Sequence, residues 1–142
     1  AITVDEACRQ YTKHPSYCKR TLAPKVDPSA PTTLPALAEQ AVLLAAESGV
    51  AAVSYVKNLE KIPGGMPLGC LERCVGRFQA AVAALMQSRV AIVEHRDVAR
   101  VKAWVKTARV DGENCMAGCH TEGGVDPAVK RRISKLGKIC SI

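Results

Sequence analysis

Apolar and small side chains recur three and four positions apart over long stretches of the chain. From about Thr33 to Lys61 they fall at Leu37, Ala41, Leu44, Ser48, Ala51, Tyr55, Leu59 and Ile62, the spacing of one helix face. Much of the opposite side is Ala and Val, so this helix is expected to be buried on more than one side. The stretch PGGMP at 63–67 ends it. A second helix is predicted from near Pro67 to about Arg89, with Leu71, Cys74, Val75, Phe78, Val82 and Leu85 inward. Asp97 caps a third, whose face runs Val98, Val101, Val105, Ala108, Gly112, Cys115 and Cys119. Asp126-Pro127 opens a last one, with Val129, Ile133, Leu136 and Cys140 inward.

Ahead of these lies a shorter pattern. Val4, Cys8 and Tyr11 share helical spacing, Pro15 interrupts it, and Ser16 is placed to cap a second short helix carrying Cys18 and Leu22. The three prolines of APKVDPSAP at 23–31 then read as a linker. The pattern predicts an all-α fold in one domain, 1–142. A small N-terminal α-hairpin (1–25) precedes an up-down-up-down four-helix bundle (32–142).

Composition agrees with helices packed through small residues: aromatic residues make up only 4% of the chain, while Ala, Val and Leu abound. The formal charge of +7 raises nucleic acid as a partner. Lys and Arg are scattered over every segment, however, and aromatic residues for base stacking are scarce, so nucleic acid is not the expected partner. No unbroken apolar run has the length of a membrane span. The N-terminus AITVDEAC lacks the basic start and apolar centre of a signal peptide, so the chain reads as a mature form with its signal already removed.

Seven cysteines are the strongest chemical signal. In a reducing compartment such a number means metal or catalysis, and in an oxidising one it means staples. Cys70 and Cys74 lie one helical turn apart, as do Cys115 and Cys119. In an antiparallel helix pair, residues at one level have numbers of constant sum, and Cys74 with Cys115 has the same sum as Cys70 with Cys119. If one pair is level, so is the other, one turn further along the same faces. Two rungs, Cys74–Cys115 and Cys70–Cys119, follow. Cys8 and Cys18 close the hairpin, and Cys140 is the unpaired thiol on an apolar face. The rival is a four-thiolate zinc site joined by His120; the spacing fits, but a third independent Cys pair in a secreted-looking chain argues against it.

The stretch CRQYTKHPSYCKRTL, with a Cys, then a Thr, then a Pro shortly before a second Cys and a Leu, resembles the start of plant invertase and pectin methylesterase inhibitors. The likeness continues through the Ala-rich helix, the Cys74 to Cys115 spacing and the C-terminal ISKLGKICSI, and so covers nearly the whole chain. It implies a four-helix bundle with an N-terminal hairpin, bridges at Cys8–Cys18 and Cys74–Cys115, and secretion to the apoplast, with the vacuole as the other destination. It also implies inhibition by covering the substrate cleft of a target enzyme, with no cofactor and no metal. The rung Cys70–Cys119 is an addition to that plan.

Two departures bear on the target. Pectin methylesterase inhibitors similar to this chain present acidic and aromatic groups on the second helix and a Thr before the third-helix cysteine. Here Arg77, Phe78, Gln79, Ala80 and Ala83 occupy that face and Asn114 precedes Cys115. Invertase inhibitors carry Pro-Lys-Phe between those helices, where this chain reads His95-Arg96-Asp97-Val98. The resemblance makes Arg73, Arg77, Lys102, Lys106, Asp111 and Asn114 the candidate enzyme-facing residues of a monomer. Their charge points to an acidic enzyme or to anionic pectin itself, and the missing Pro-Lys-Phe stretch puts a pectin methylesterase before an invertase. A basic pectin-binding or defence protein without inhibitory activity is the reading of another class. Catalysis finds little support: His14, His95 and His120 lie in turns or helix ends, and no paired carboxylates or Ser/His/Asp set is evident.

Overall fold

A computed structural model of the chain describes residues 2–27, 30–62, 67–94, 98–115, 131–132 and 134–135. The Cys119 and Cys140 sulfurs, His120, the PGGM stretch, the Asp97 cap and most of the last predicted helix fall outside these residues. Among the described residues there are five named helices: α1 (Val4–Tyr11), α2 (Pro15–Leu22), α3 (Leu34–Leu59), α4 (Leu68–Val93) and α5 (Val98–Glu113). The fold is all-α, a disulfide-stapled helix bundle with α4 packed between α3 and α5.

The hairpin forms for local reasons. Thr3 caps α1 through its Oγ1, which accepts a hydrogen bond from the Glu6 amide at 3.2 Å, and Asp5 and Glu6 sit favourably in the first turn. Asp5 also reaches Arg9 at 3.1 Å and, across the hairpin, Lys19 at 3.2 Å. Pro15 is the first residue of α2 and His14 its cap residue, earlier in the chain than a Ser16 cap implies. Proline has no amide hydrogen to leave unsatisfied at that position and its φ is already helical, so it starts the helix rather than interrupting it. A disulfide joins Cys8 to Cys18, with 5.7 Å between their Cα atoms. Val4, Ala7, Leu22 and the two half-cystines pack on Leu37 of α3. Ile2 and Thr32 exchange backbone hydrogen bonds of 2.9 and 2.7 Å, which pin the start of α1 beside the start of α3.

Thr33 caps α3 by accepting from the Ala36 amide at 3.2 Å. The helix is long and apolar enough to cross a membrane by length and composition, but its inner residues pack into the bundle core. Its most buried positions are Leu37, Val42, Ala45, Ala46, Ser48, Gly49, Ala52 and Val56. That stripe shares Leu37 and Ser48 with the one the spacing suggests and is otherwise rotated from it: Ala51 and Ile62 are exposed, and Leu44, Tyr55 and Leu59 are only partly buried. The reason is close approach. A Cβ built on Gly49 would stand 2.6 Å from Cγ2 of Val82, so α4 approaches closely where α3 has no side chain, and the line of residues through Gly49 is the one covered.

α4 continues to Val93, beyond the expected end near Arg89, because no breaker intervenes and Ala91 is still buried. Leu71, Cys74, Val75, Phe78, Ala81 and Leu85 form its inner face, and Ala108 and Cys115 bring α5 into the same core. Of the predicted last helix, 131–132 and 134–135 are helical. The Arg132 guanidinium lies 4.7 Å from the centroid of the Tyr55 ring, a cation–π contact that ties this part of the chain to α3.

Candidate functional site

The α4–α5 pair and the residue that follows it carry all six candidate enzyme-facing residues, and its register is set covalently. Cys74 and Cys115, both almost wholly buried, are joined by a disulfide. Thiolates consumed in a bridge are not available to a metal, so the four-thiolate zinc reading is removed. Cys70, one turn earlier on α4 and equally buried, is also disulfide-bonded; its expected partner Cys119 lies outside the described residues.

One turn on from Cys74, Arg77 donates from a guanidinium NH2 group to Oδ1 of Asp111 at 3.4 Å. Asp111 is mostly covered and Arg77 about half exposed. This pair repeats, on the surface, the antiparallel register that the disulfide sets inside. Arg73 and Asn114 adjoin the two half-cystines in sequence, and both are exposed. Asn114 has its amide tied back to the Val110 carbonyl at 2.9 Å, which extends α5 by one hydrogen bond. Arg73, Arg77, Asp111 and Asn114 therefore gather around one end of the α4–α5 pair.

Lys102 and Lys106 do not join them. They sit about 7–13 Å back along α5 from Asp111, at a rise of about 1.5 Å per residue. They are also on the other flank: Asp111 turns toward α4, whereas Lys102 and Lys106 line a cleft shared with the hairpin and α3. Among the described residues Arg73, Lys102 and Lys106 make no ion pair. Phe78 is fully buried, as the three-four spacing of this helix expects, so it is not part of the outward face on which the chain was compared with pectin methylesterase inhibitors. That face instead shows Gly76, Gln79, Ala80 and Ala83, all exposed, small or uncharged.

Two polar links were not foreseeable from the chain alone. Glu39 of α3 pairs with Arg89 of α4 at 3.3 Å, and Asp5 pairs with Lys19. Both join residues on different helices whose level depends on packing, and neither spacing leaves a mark in the sequence. The cleft beside the hairpin was unreadable for the same reason. Among the described residues no group of three or more His, Cys, Asp or Glu side chains is placed to hold a metal.

Known structures share this arrangement. A mutant form of a pectin methylesterase inhibitor from Arabidopsis superposes with a TM-score of 0.76 at 19% identity, covering 94% of this chain and 87% of that one. A pectin methylesterase inhibitor from Arabidopsis thaliana gives 0.69 at 17% identity, covering 96% and 88%. At such identities the likeness speaks for the fold. Among curated proteins none matches the chain significantly. The family model described as plant invertase/pectin methylesterase inhibitor matches residues 3–142, which takes in the hairpin, its bridge and the whole α4–α5 pair. A match of that extent, over a helix bundle stapled in this way, places the chain in the plant invertase/pectin methylesterase inhibitor family.

Proposed function

We propose that the chain is a secreted plant inhibitor of a carbohydrate-active cell-wall enzyme, a pectin methylesterase in preference to an invertase. It acts as a monomer by stoichiometric docking over the enzyme's substrate cleft, with no cofactor. The observation that carries this reading is the family match across 3–142. The preference for pectin methylesterase rests on the absence of Pro-Lys-Phe between the second and third bundle helices, where the chain has His95-Arg96-Asp97-Val98.

The surface around Arg73, Arg77, Asp111 and Asn114 suits docking because it is carried on two helices locked by a buried disulfide, so little ordering is needed on binding. Its electrostatics are milder than the sequence implies. Asp111 offsets Arg77, which leaves Arg73 as the uncompensated charge among these four residues. Charge complementarity governs approach rate and partner choice more than affinity, so an acidic enzyme is favoured modestly. The test is a side-by-side titration against a pectin methylesterase and an invertase, each with acidic and basic isoforms at low salt. Stoichiometric inhibition of pectin methylesterase at lower concentration than invertase is expected. Failure to inhibit either at micromolar protein sinks the reading, and equal potency on both isoform types removes the charge argument.

A further inference from the structure

A cleft of about 770 Å³ opens where the hairpin meets the first halves of α3 and α5. That volume is in the usual range for a small-molecule site. Its floor is apolar: Leu22 of α2, Leu37 and Val42 of α3, Leu85 of α4, and Val101 and Val105 of α5 all contribute. Its rim is cationic, with Lys13, Lys102, Lys106 and Arg109, joined by His14. Among the described residues lining it there is no Asp or Glu. The hairpin and α5 thus bring Lys13 and the two α5 lysines to one cleft, although they are some ninety positions apart in the chain.

The three lysine charges are not consumed elsewhere. Among the described residues Lys13, Lys102 and Lys106 form no ion pair. Arg109, partly exposed, is paired with Glu113 one turn along α5 at 3.9 Å. Like charges crowded over an apolar trough raise the potential there, and a low-dielectric wall focuses it.

We propose that this cleft binds a lipophilic carboxylate, its apolar body on the floor formed by Leu37, Leu85 and Val105 and its head group among Lys102, Lys106 and Arg109. The site stands on the opposite flank of α5 from Asp111, so it does not depend on the inhibitory reading. It gives Lys102 and Lys106 a role apart from enzyme docking.

The experiment uses the intact protein and 1-anilinonaphthalene-8-sulfonate as a fluorescent reporter, displaced by decanoate or by decanol below their aggregation limits. One saturable reporter site per chain is expected, with decanoate displacing it at roughly tenfold lower concentration than decanol, about the loss of one charge-assisted contact. The Lys102→Glu/Lys106→Glu variant should weaken decanoate by roughly the same factor or more, and Arg73→Glu should leave it unchanged. Both lysines are exposed, so the variants should fold, and their circular dichroism should match the parent. Ala41→Phe, which fills the floor, should abolish reporter binding. Non-saturating fluorescence, equal displacement by decanol, or unchanged binding in the lysine variant overturns the proposal.

Discussion

The α1–α2 hairpin buries Val4, Ala7, Cys8, Cys18 and Leu22 against Leu37, and it has little else to hold it: a disulfide, a threonine cap, the Asp5 ion pairs and one β-bridge. The α3–α4–α5 core instead joins thirteen buried residues in one cluster. Two eight-residue helices offer too little apolar area to offset the entropy of ordering them, so a covalent cross-link makes up the difference by restricting the unfolded chain. The longer helices need no such help to cohere, and their disulfide mainly fixes which levels face each other. The two regions therefore differ in what breaks them, and four measurements test that difference.

The largest effect is expected from Phe78→Ala. Its ring is fully buried at the centre of the bundle, and the substitution should cost about 3–5 kcal/mol in denaturant unfolding, moving every probe of structure together. Selective loss of the hairpin alone would show that the two regions do not share a core in the way described. Next comes Cys8→Ser with Cys18→Ser. A loop of this length is worth about 2–3 kcal/mol in the chain-entropy model, and the loss should appear as lost amide-exchange protection in 4–22 while α4 stays protected.

Gly49→Ala gains about 1 kcal/mol of helix propensity but forces a methyl onto the stiff, branched Val82, an overpacking worth about 1–3 kcal/mol. A net loss of up to about 2 kcal/mol is expected. Adding Val82→Ala should relieve it, and an unrelieved loss would place the clash elsewhere. The smallest effect belongs to Arg77 and Asp111. Arg77 is half exposed and solvent screens the pair, so a double-mutant cycle should return a coupling below about 1 kcal/mol, falling further in salt. A coupling well above that value would make the pair a structural latch between α4 and α5.

Much of the architecture was legible because it is written in local signals. The three-four spacing of α4 and α5 names their inner faces well, whereas the start of α2 was misplaced: Pro15 opens that helix, with His14 as its cap residue, where a cap at Ser16 was expected. The candidate site was legible only in part. The pairing of Cys74 with Cys115 was expected from the cysteine spacing and is found, and Arg73, Arg77, Asp111 and Asn114 come with it. Lys102 and Lys106 are the same distance from those residues in sequence as a helix would put them, yet they turn to the other flank and join Lys13. No spacing rule connects α5 to a hairpin some ninety positions earlier.

α3 shows where sequence and packing part. A helix with Ala and Val on nearly every side has no preferred inner face, since many rotations bury similar apolar area, and its spacing pointed to Leu44, Ala51 and Tyr55. The packed bundle keeps Leu37 and Ser48 inward but otherwise covers Val42, Ala45, Gly49, Ala52 and Val56, with Val82 of α4 packed against the bare Gly49 backbone. Helix identity, helix order and the rule that ties the level of Cys74 with Cys115 to that of Cys70 with Cys119 are consequences of local helix geometry and were present in the chain. The rotation of α3, the pairing of Glu39 with Arg89 and the cationic mouth of the cleft are consequences of three-body packing, and they came into being only when the helices met.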